Sequence, residues 1–171
     1  MRRIITTLLI LLSNIIVQST LLQFIKIRNI LPNTSIIIII SFALLRGSYE
    51  GAIVGFFSGL IQDMLYGTSI GYYSLLGMLT GFFFGKFHHN FYRENYLLPL
   101  VLCSLGTLVY ESIVFITGFV FQGDLNYIYY FGRLILPETV YTAIFSLFVY
   151  RILFSINEYL ESKEKHMRKL F

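Results

Sequence analysis

Charge is what this chain has least of: 13% of its 171 residues are Asp, Glu, Lys or Arg, against about 25% in an ordinary soluble domain. With 56% hydrophobic residues and a mean hydropathy of +0.72, it lacks the polar surface needed to coat a globule in water. Tryptophan is absent and cysteine occurs once, at Cys103 within an apolar stretch. A single cysteine excludes an intrachain disulfide, and its surroundings point to a packing role. Also missing are a nucleophile elbow, a phosphate loop, a paired-cysteine metal site and an HExxH pair. Nothing therefore suggests an enzyme, a cofactor, a bound metal or a nucleic-acid partner.

What is present is long apolar runs. Lipid cannot hydrogen-bond a backbone, so spanning segments must be helices or a closed barrel, and barrels need alternating apolar and polar residues. Ile36 to Leu45 is apolar on every face, apart from Ser41, so helices are expected despite the strand preference of β-branched residues. At roughly 20 residues per crossing, the length allows about six spans.

The expected fold class is an all-α integral membrane protein, a six-helix transmembrane bundle. Its spans fall near Ile4 to Ile25, Thr34 to Leu45, Gly51 to Tyr66, Tyr72 to Gly85, Tyr96 to Phe121 and Phe131 to Phe154. Residues 1–156 form the spanning domain and 157–171 a charged amphipathic cytoplasmic tail, in which Glu161 precedes Lys165 and Glu164 precedes Arg168 at i,i+4 spacing. Met1-Arg2-Arg3 ahead of an apolar run looks like a signal peptide without a cleavage site, so it is read as a retained first helix.

Basic residues set the orientation. Ten of the thirteen Lys and Arg fall on one side if both termini are cytoplasmic; Lys26, Arg28 and Arg133 fall on the other. Tyrosines such as Tyr66, Tyr72, Tyr73, Tyr92, Tyr96, Tyr127, Tyr129 and Tyr130 crowd the expected interfaces, taking the place of the missing tryptophans.

Two glycine stripes stand out. Gly47, Gly51, Gly55 and Gly59 recur every four residues, and Gly77, Gly81 and Gly85 repeat the step on the next helix. Such faces let helices approach until backbones touch. The plain reading is packing between these two neighbours; the alternatives are homodimerisation or contact with a partner helix.

Intramembrane polar residues form the second set. Asp63 continues the glycine stripe, and its plain reading is a polar cap where the helix breaks at Tyr66-Gly67-Thr68-Ser69, with Lys26 and Arg133 as candidate counter-charges. Glu111 and Glu138 lie deeper, and acids inside a membrane span are candidates for a functional site. Asn14 and Gln18, four apart on the first helix, form a polar stripe suited to gluing helices. Pro137 should kink the last helix. His88 and His89, in a basic loop with Lys86 and Arg93, suit an interface attracted to anionic lipid.

The block Gly51-Ala52-Ile53-Val54-Gly55-Phe56-Phe57-Ser58-Gly59-Leu60-Ile61-Gln62-Asp63, then Ile70-Gly71-Tyr72-Tyr73-Ser74-Leu75 and Gly81-Phe82-Phe83-Phe84-Gly85, resembles the bacterial rod shape-determining MreD family. Leu136-Pro137-Glu138-Thr139-Val140-Tyr141-Thr142-Ala143-Ile144 looks like that family's signature in its last helix, departing from it at Thr142, where an asparagine is frequent.

The resemblance implies a non-enzymatic component of the wall-elongation complex, or elongasome, in the bacterial cytoplasmic membrane. It would bind the membrane-anchored MreC, with the MreB cytoskeleton and peptidoglycan synthases reached indirectly or more weakly. It also implies a bundle similar to the S components of energy-coupling-factor vitamin transporters. The rival reading is a small-molecule (vitamin) binding subunit of a transporter, with Asp63, Glu111 and Glu138 lining a pocket.

Overall fold

The isoleucine run sits at the centre of the molecule. In a computed structural model of the chain, which describes residues 2–26, 30–66, 71–90, 97–122 and 130–168, the helix α3 (Thr34–Arg46) is buried at every position from Thr34 to Leu45. A helix that is apolar on all sides has no face to give to water, and here it is enclosed by protein instead. The Asn33 side chain starts it by accepting the Ile36 N–H at 3.3 Å. Gly47 stops it, in the left-handed region at φ +93°, with its N–H on the Ala43 carbonyl at 2.9 Å.

Around α3 stand α1 (Arg2–Ser19), followed by the single turn α2 (Leu21–Phe24), then α4 (Ser48–Tyr66), α5 (Tyr72–Gly85), α6 (Leu97–Gln122) and α7 (Leu136–Arg168). Helices α4, α5, α6 and α7 all pack on α3. One apolar cluster joins Ile36, Ile40 and Leu44 to Leu76, Leu102 and Tyr110; another joins Phe42 to Leu11, Val54 and Tyr150.

The described residues thus hold six helices of 13 residues or more and no strand of a sheet, the architecture of a helical membrane protein. Three stretches are long and apolar enough to cross a bilayer, Arg3–Phe24, Leu97–Gly118 and Phe131–Lys163. Helix α3, at about 1.5 Å per residue, is only about 20 Å long, shorter than the roughly 30 Å of hydrocarbon. Its shortness is tolerable because its neighbours, not lipid, surround it.

Two boundaries differ in detail from the sequence reading. Gly47 belongs to the joint between α3 and α4, so the stripe on α4 itself begins at Gly51. Ahead of Pro137 the irregularity takes the form of a π-helical turn, Phe131–Ile135, in which the Leu136 N–H reaches back five residues to the Phe131 carbonyl. A proline lacks an N–H and crowds the carbonyl four residues back, and a wider turn is one way to absorb both.

Helix α7 runs through positions 156 and 157 to Arg168 without a break. Arg28, the turn at Gly67-Thr68-Ser69, Ile70, Tyr92, Arg93, Tyr96, Tyr127 and Tyr129 lie outside the described residues, as do the side chains of Tyr66, His89, Glu164, Lys165 and Arg168.

Candidate functional site

The two glycine stripes face each other. A Cβ built on Gly55 would strike the Gly77 carbonyl, and one on Gly77 the Gly55 carbonyl; Gly51 and Gly81 stand in the same relation. Gly59 abuts the backbone of Tyr73 and Ser74, and Gly85 that of Gly47 and Ser48. In lipid no hydrophobic effect drives helices together, so association rests on van der Waals contact, which backbone-to-backbone approach makes dense. The stripes are therefore spent inside an α4–α5 hairpin, while Phe56, Phe57, Phe82 and Phe83 point outward.

Asp63 closes the open end of that hairpin. Helix α5 begins after Gly71, a residue with φ +105° and no side chain to cap the helix. The first N–H groups of a helix have no partner within it and carry the positive end of its dipole. The Asp63 carboxylate, buried near the end of α4, supplies what Gly71 cannot. It accepts the N–H groups of Gly71 at 3.0 Å, Tyr73 at 2.9 Å and Ser74 at 3.0 Å, and the Ser74 hydroxyl at 2.5 Å. The sequence reading put a cap at the end of Asp63's own helix and looked to Lys26 and Arg133 for charge; these four donors belong to the start of the next helix.

A second polar cluster ties α3 to α6 and α7. Asn33 donates its side-chain amide to Glu111 Oε1 at 2.9 Å and its backbone N–H to Thr142 Oγ1 at 3.1 Å. Glu111 on α6 and Glu138 on α7 are near neighbours in this cluster. Close by along the chain, Tyr110 donates its hydroxyl to Gln62 Oε1 at 3.2 Å, linking α6 to α4.

Helix α1 is fastened to α3 by polar side chains. Asn14 Nδ2 donates to the Ser35 hydroxyl, which donates to Gln18 Oε1, both at 3.2 Å. At the other end of α3, Arg46 joins its own helix to three others. Its Nε donates to Asn157 Oδ1 at 2.8 Å, and its Nη1 to Thr7 Oγ1 at 3.3 Å and Glu50 Oε2 at 3.2 Å. His88 Nδ1 meets the Leu44 carbonyl at 2.5 Å in the same region, and Lys86 lies over the rings of Phe82 and Phe83.

Sequence reasoning missed Asn33 and Arg46. Asn33 carried a signal, since an Asn followed by Thr-Ser and an apolar run is a helix start. In the sequence Arg46 is only one of the ten basic residues assigned to the cytoplasmic side. Two cavities are described, one of about 10 Å³ between α1, α3 and α4, the other of about 440 Å³ between α1 and α4; neither is lined by Asp63, Glu111 or Glu138. Among the described residues no group of three His, Cys, Asp or Glu could hold a metal ion.

Chemically, these groups fasten helices to one another: glycine for close approach, Asp63 for a helix start, Asn33 and Arg46 as junctions. When the chain is compared with known proteins, the family described as rod shape-determining protein MreD matches it over residues 1–160. No curated protein and no solved structure matches it.

Proposed function

Because the chain belongs to the rod shape-determining protein MreD family, we propose that it is a non-enzymatic membrane scaffold of the elongasome that binds an MreC-like membrane-anchored protein. Family membership carries the broader statement, a role in determining rod shape, and the three long apolar helices make it a membrane protein. The finer reading adds the bacterial cytoplasmic membrane, cytoplasmic termini, and indirect contact with the MreB cytoskeleton and peptidoglycan synthases. It also keeps residues 1–156 as the spanning domain and 157–171 as a cytoplasmic tail.

The observation that favours a scaffold is the α4–α5 hairpin. Gly51, Gly55, Gly59, Gly77, Gly81 and Gly85 are used up in its seam, and Asp63 in its closure. What these residues build is a platform, and partner contact falls to its outward side, where Phe56, Phe82 and Phe83 lie. Support for the orientation comes from Arg3, Arg46, Lys86 and Asn157, polar groups gathered toward the helix ends that the charge bias assigns to the cytoplasm.

Co-purification tests this reading. The chain should retain the MreC-like protein through detergent extraction, and replacing Phe56, Phe82 and Phe83 together with alanine should weaken retention while the protein stays folded. Failure of the unaltered chain to retain that partner would defeat the scaffold reading. Undiminished retention by the triple variant would move the interface to another face.

A further inference from the structure

We propose that the groove between α1 and α4 holds one anionic phospholipid, its phosphate at the Arg46 end and an acyl chain along the apolar walls beyond. The groove is the cavity of about 440 Å³, and it exists because α1 stands away from the bundle. Only 6% of the α1 apolar stretch is buried, against 28% for each of the other two long apolar stretches. Helix α1 is held to α3 by the polar contacts of Thr7, Asn14 and Gln18 and by Leu11 in the cluster around Phe42, and the opening lies beside Val54 and Phe57.

The lining is graded along its length. Arg3, Thr7, Arg46 and Glu50 gather toward one end, with Ile4 among them; Leu8, Leu11, Ile53, Val54 and Phe57 form the rest. From Arg3 to Leu11 the helical rise of about 1.5 Å per residue gives about 12 Å, enough for a headgroup region followed by the upper part of a chain.

Arg46 makes the end specific for an anion. Its side chain is only 5% exposed, yet its three hydrogen bonds leave from Nε and Nη1. A guanidinium has five N–H donors, so the two on Nη2 have no partner among the described residues. Donors left over on a buried cation at the mouth of a cavity suit a phosphate, which a guanidinium grips through two parallel hydrogen bonds.

A partner's membrane helix fits less well. Close helix packing in lipid uses small residues, and the ten lining residues include no glycine, alanine or serine. Their bulky branched and aromatic side chains suit a flexible chain that threads between them.

Native mass spectrometry of the detergent-purified full chain, with dioleoyl phosphatidylglycerol and dioleoyl phosphatidylcholine added in turn, tests the proposal. One phosphatidylglycerol should remain bound, preferred over phosphatidylcholine by about tenfold or more in apparent affinity. Leu8→Trp on one wall and Ile53→Trp on the other should each abolish retention with the circular dichroism unchanged. Arg3→Gln should reduce the preference without abolishing binding. Equal retention of the two lipids, or undiminished retention in a folded wall variant, overturns the proposal. Recovery of a polypeptide in place of the lipid from native membranes, displaced by the same wall variants, overturns it in favour of a partner helix. If neither tryptophan variant folds, the comparison of the two lipids on the unaltered chain decides alone.

Discussion

Asp63 and Ser74 are joined twice, the carboxylate accepting both the backbone N–H of Ser74 at 3.0 Å and its hydroxyl at 2.5 Å. Eleven residues separate them, and between them the chain leaves one helix, turns and starts the next. The carboxylate is buried with its bonds made, so it holds the hairpin closed at the end where the glycine seam runs out.

Removing it should open that end. Asp63→Ala strips four donors of their acceptor and should cost about 3 kcal/mol, since hydrogen bonds to a charged group are worth about 1.5–3 kcal/mol. Asp63→Asn turns one acceptor atom into a donor facing N–H groups and should also destabilise. Ser74→Ala loses one bond of four and should cost about 1 kcal/mol. Thermal unfolding in detergent, followed by size-exclusion of the heated sample, ranks the three; equal melting temperatures for Asp63→Ala and the unaltered chain would contradict the cap.

The glycines divide into seam and surface. Gly55→Ala and Gly81→Ala drive a Cβ into a facing backbone and should sharply lower the yield of folded protein. Gly118→Ala meets nothing within 4 Å and should be neutral or stabilising by up to about 1 kcal/mol, because alanine suits a helix better than glycine. Expression of the three variants with a fluorescent tag reads the difference directly.

Much of this is legible in the residues alone. The i,i+4 glycine pattern, its continuation to Asp63, and the all-round apolarity of Ile36 to Leu45 each depend on residue type and spacing, which sequence states outright. What sequence could not state was who faces whom. Periodicity put Asp63 on the glycine face but not opposite the start of α5, because that depends on how the turn folds back. Nor could hydropathy tell that α3 is enclosed by protein while α1 is largely exposed, since lipid and a protein interior select the same side chains. Junctions such as Asn33 and Arg46 collect partners 78 and 111 residues away, distances no local pattern covers.

At the Asn33 junction, Glu138→Gln keeps a polar group of the same size near Glu111 and should be tolerated, whereas Glu138→Ala leaves a cavity beside Glu111, with Asn33 as its remaining partner, and should destabilise by about 1–3 kcal/mol. Melting temperatures measured side by side distinguish the two, and identical losses would contradict a paired arrangement.

At the Arg46 junction, the half-exposed Glu50 contributes little: a solvent-screened pair is worth about 1 kcal/mol or less, and Glu50→Gln should cost no more. Arg46→Ala should cost about 3 kcal/mol or more, because it removes a buried cation and unpairs Asn157 and Thr7 together. Urea or heat unfolding of both variants in the same detergent gives the ratio.

The most direct test of the account is deletion of this gene in its own rod-shaped host, followed by microscopy and by complementation. Cells should lose their rod shape, regain it with the unaltered chain or Gly118→Ala, and fail to regain it with Gly55→Ala or Asp63→Ala. Persistence of normal rods after deletion would contradict a role in shape; full rescue by chains that cannot close the α4–α5 hairpin would contradict the scaffold built on it.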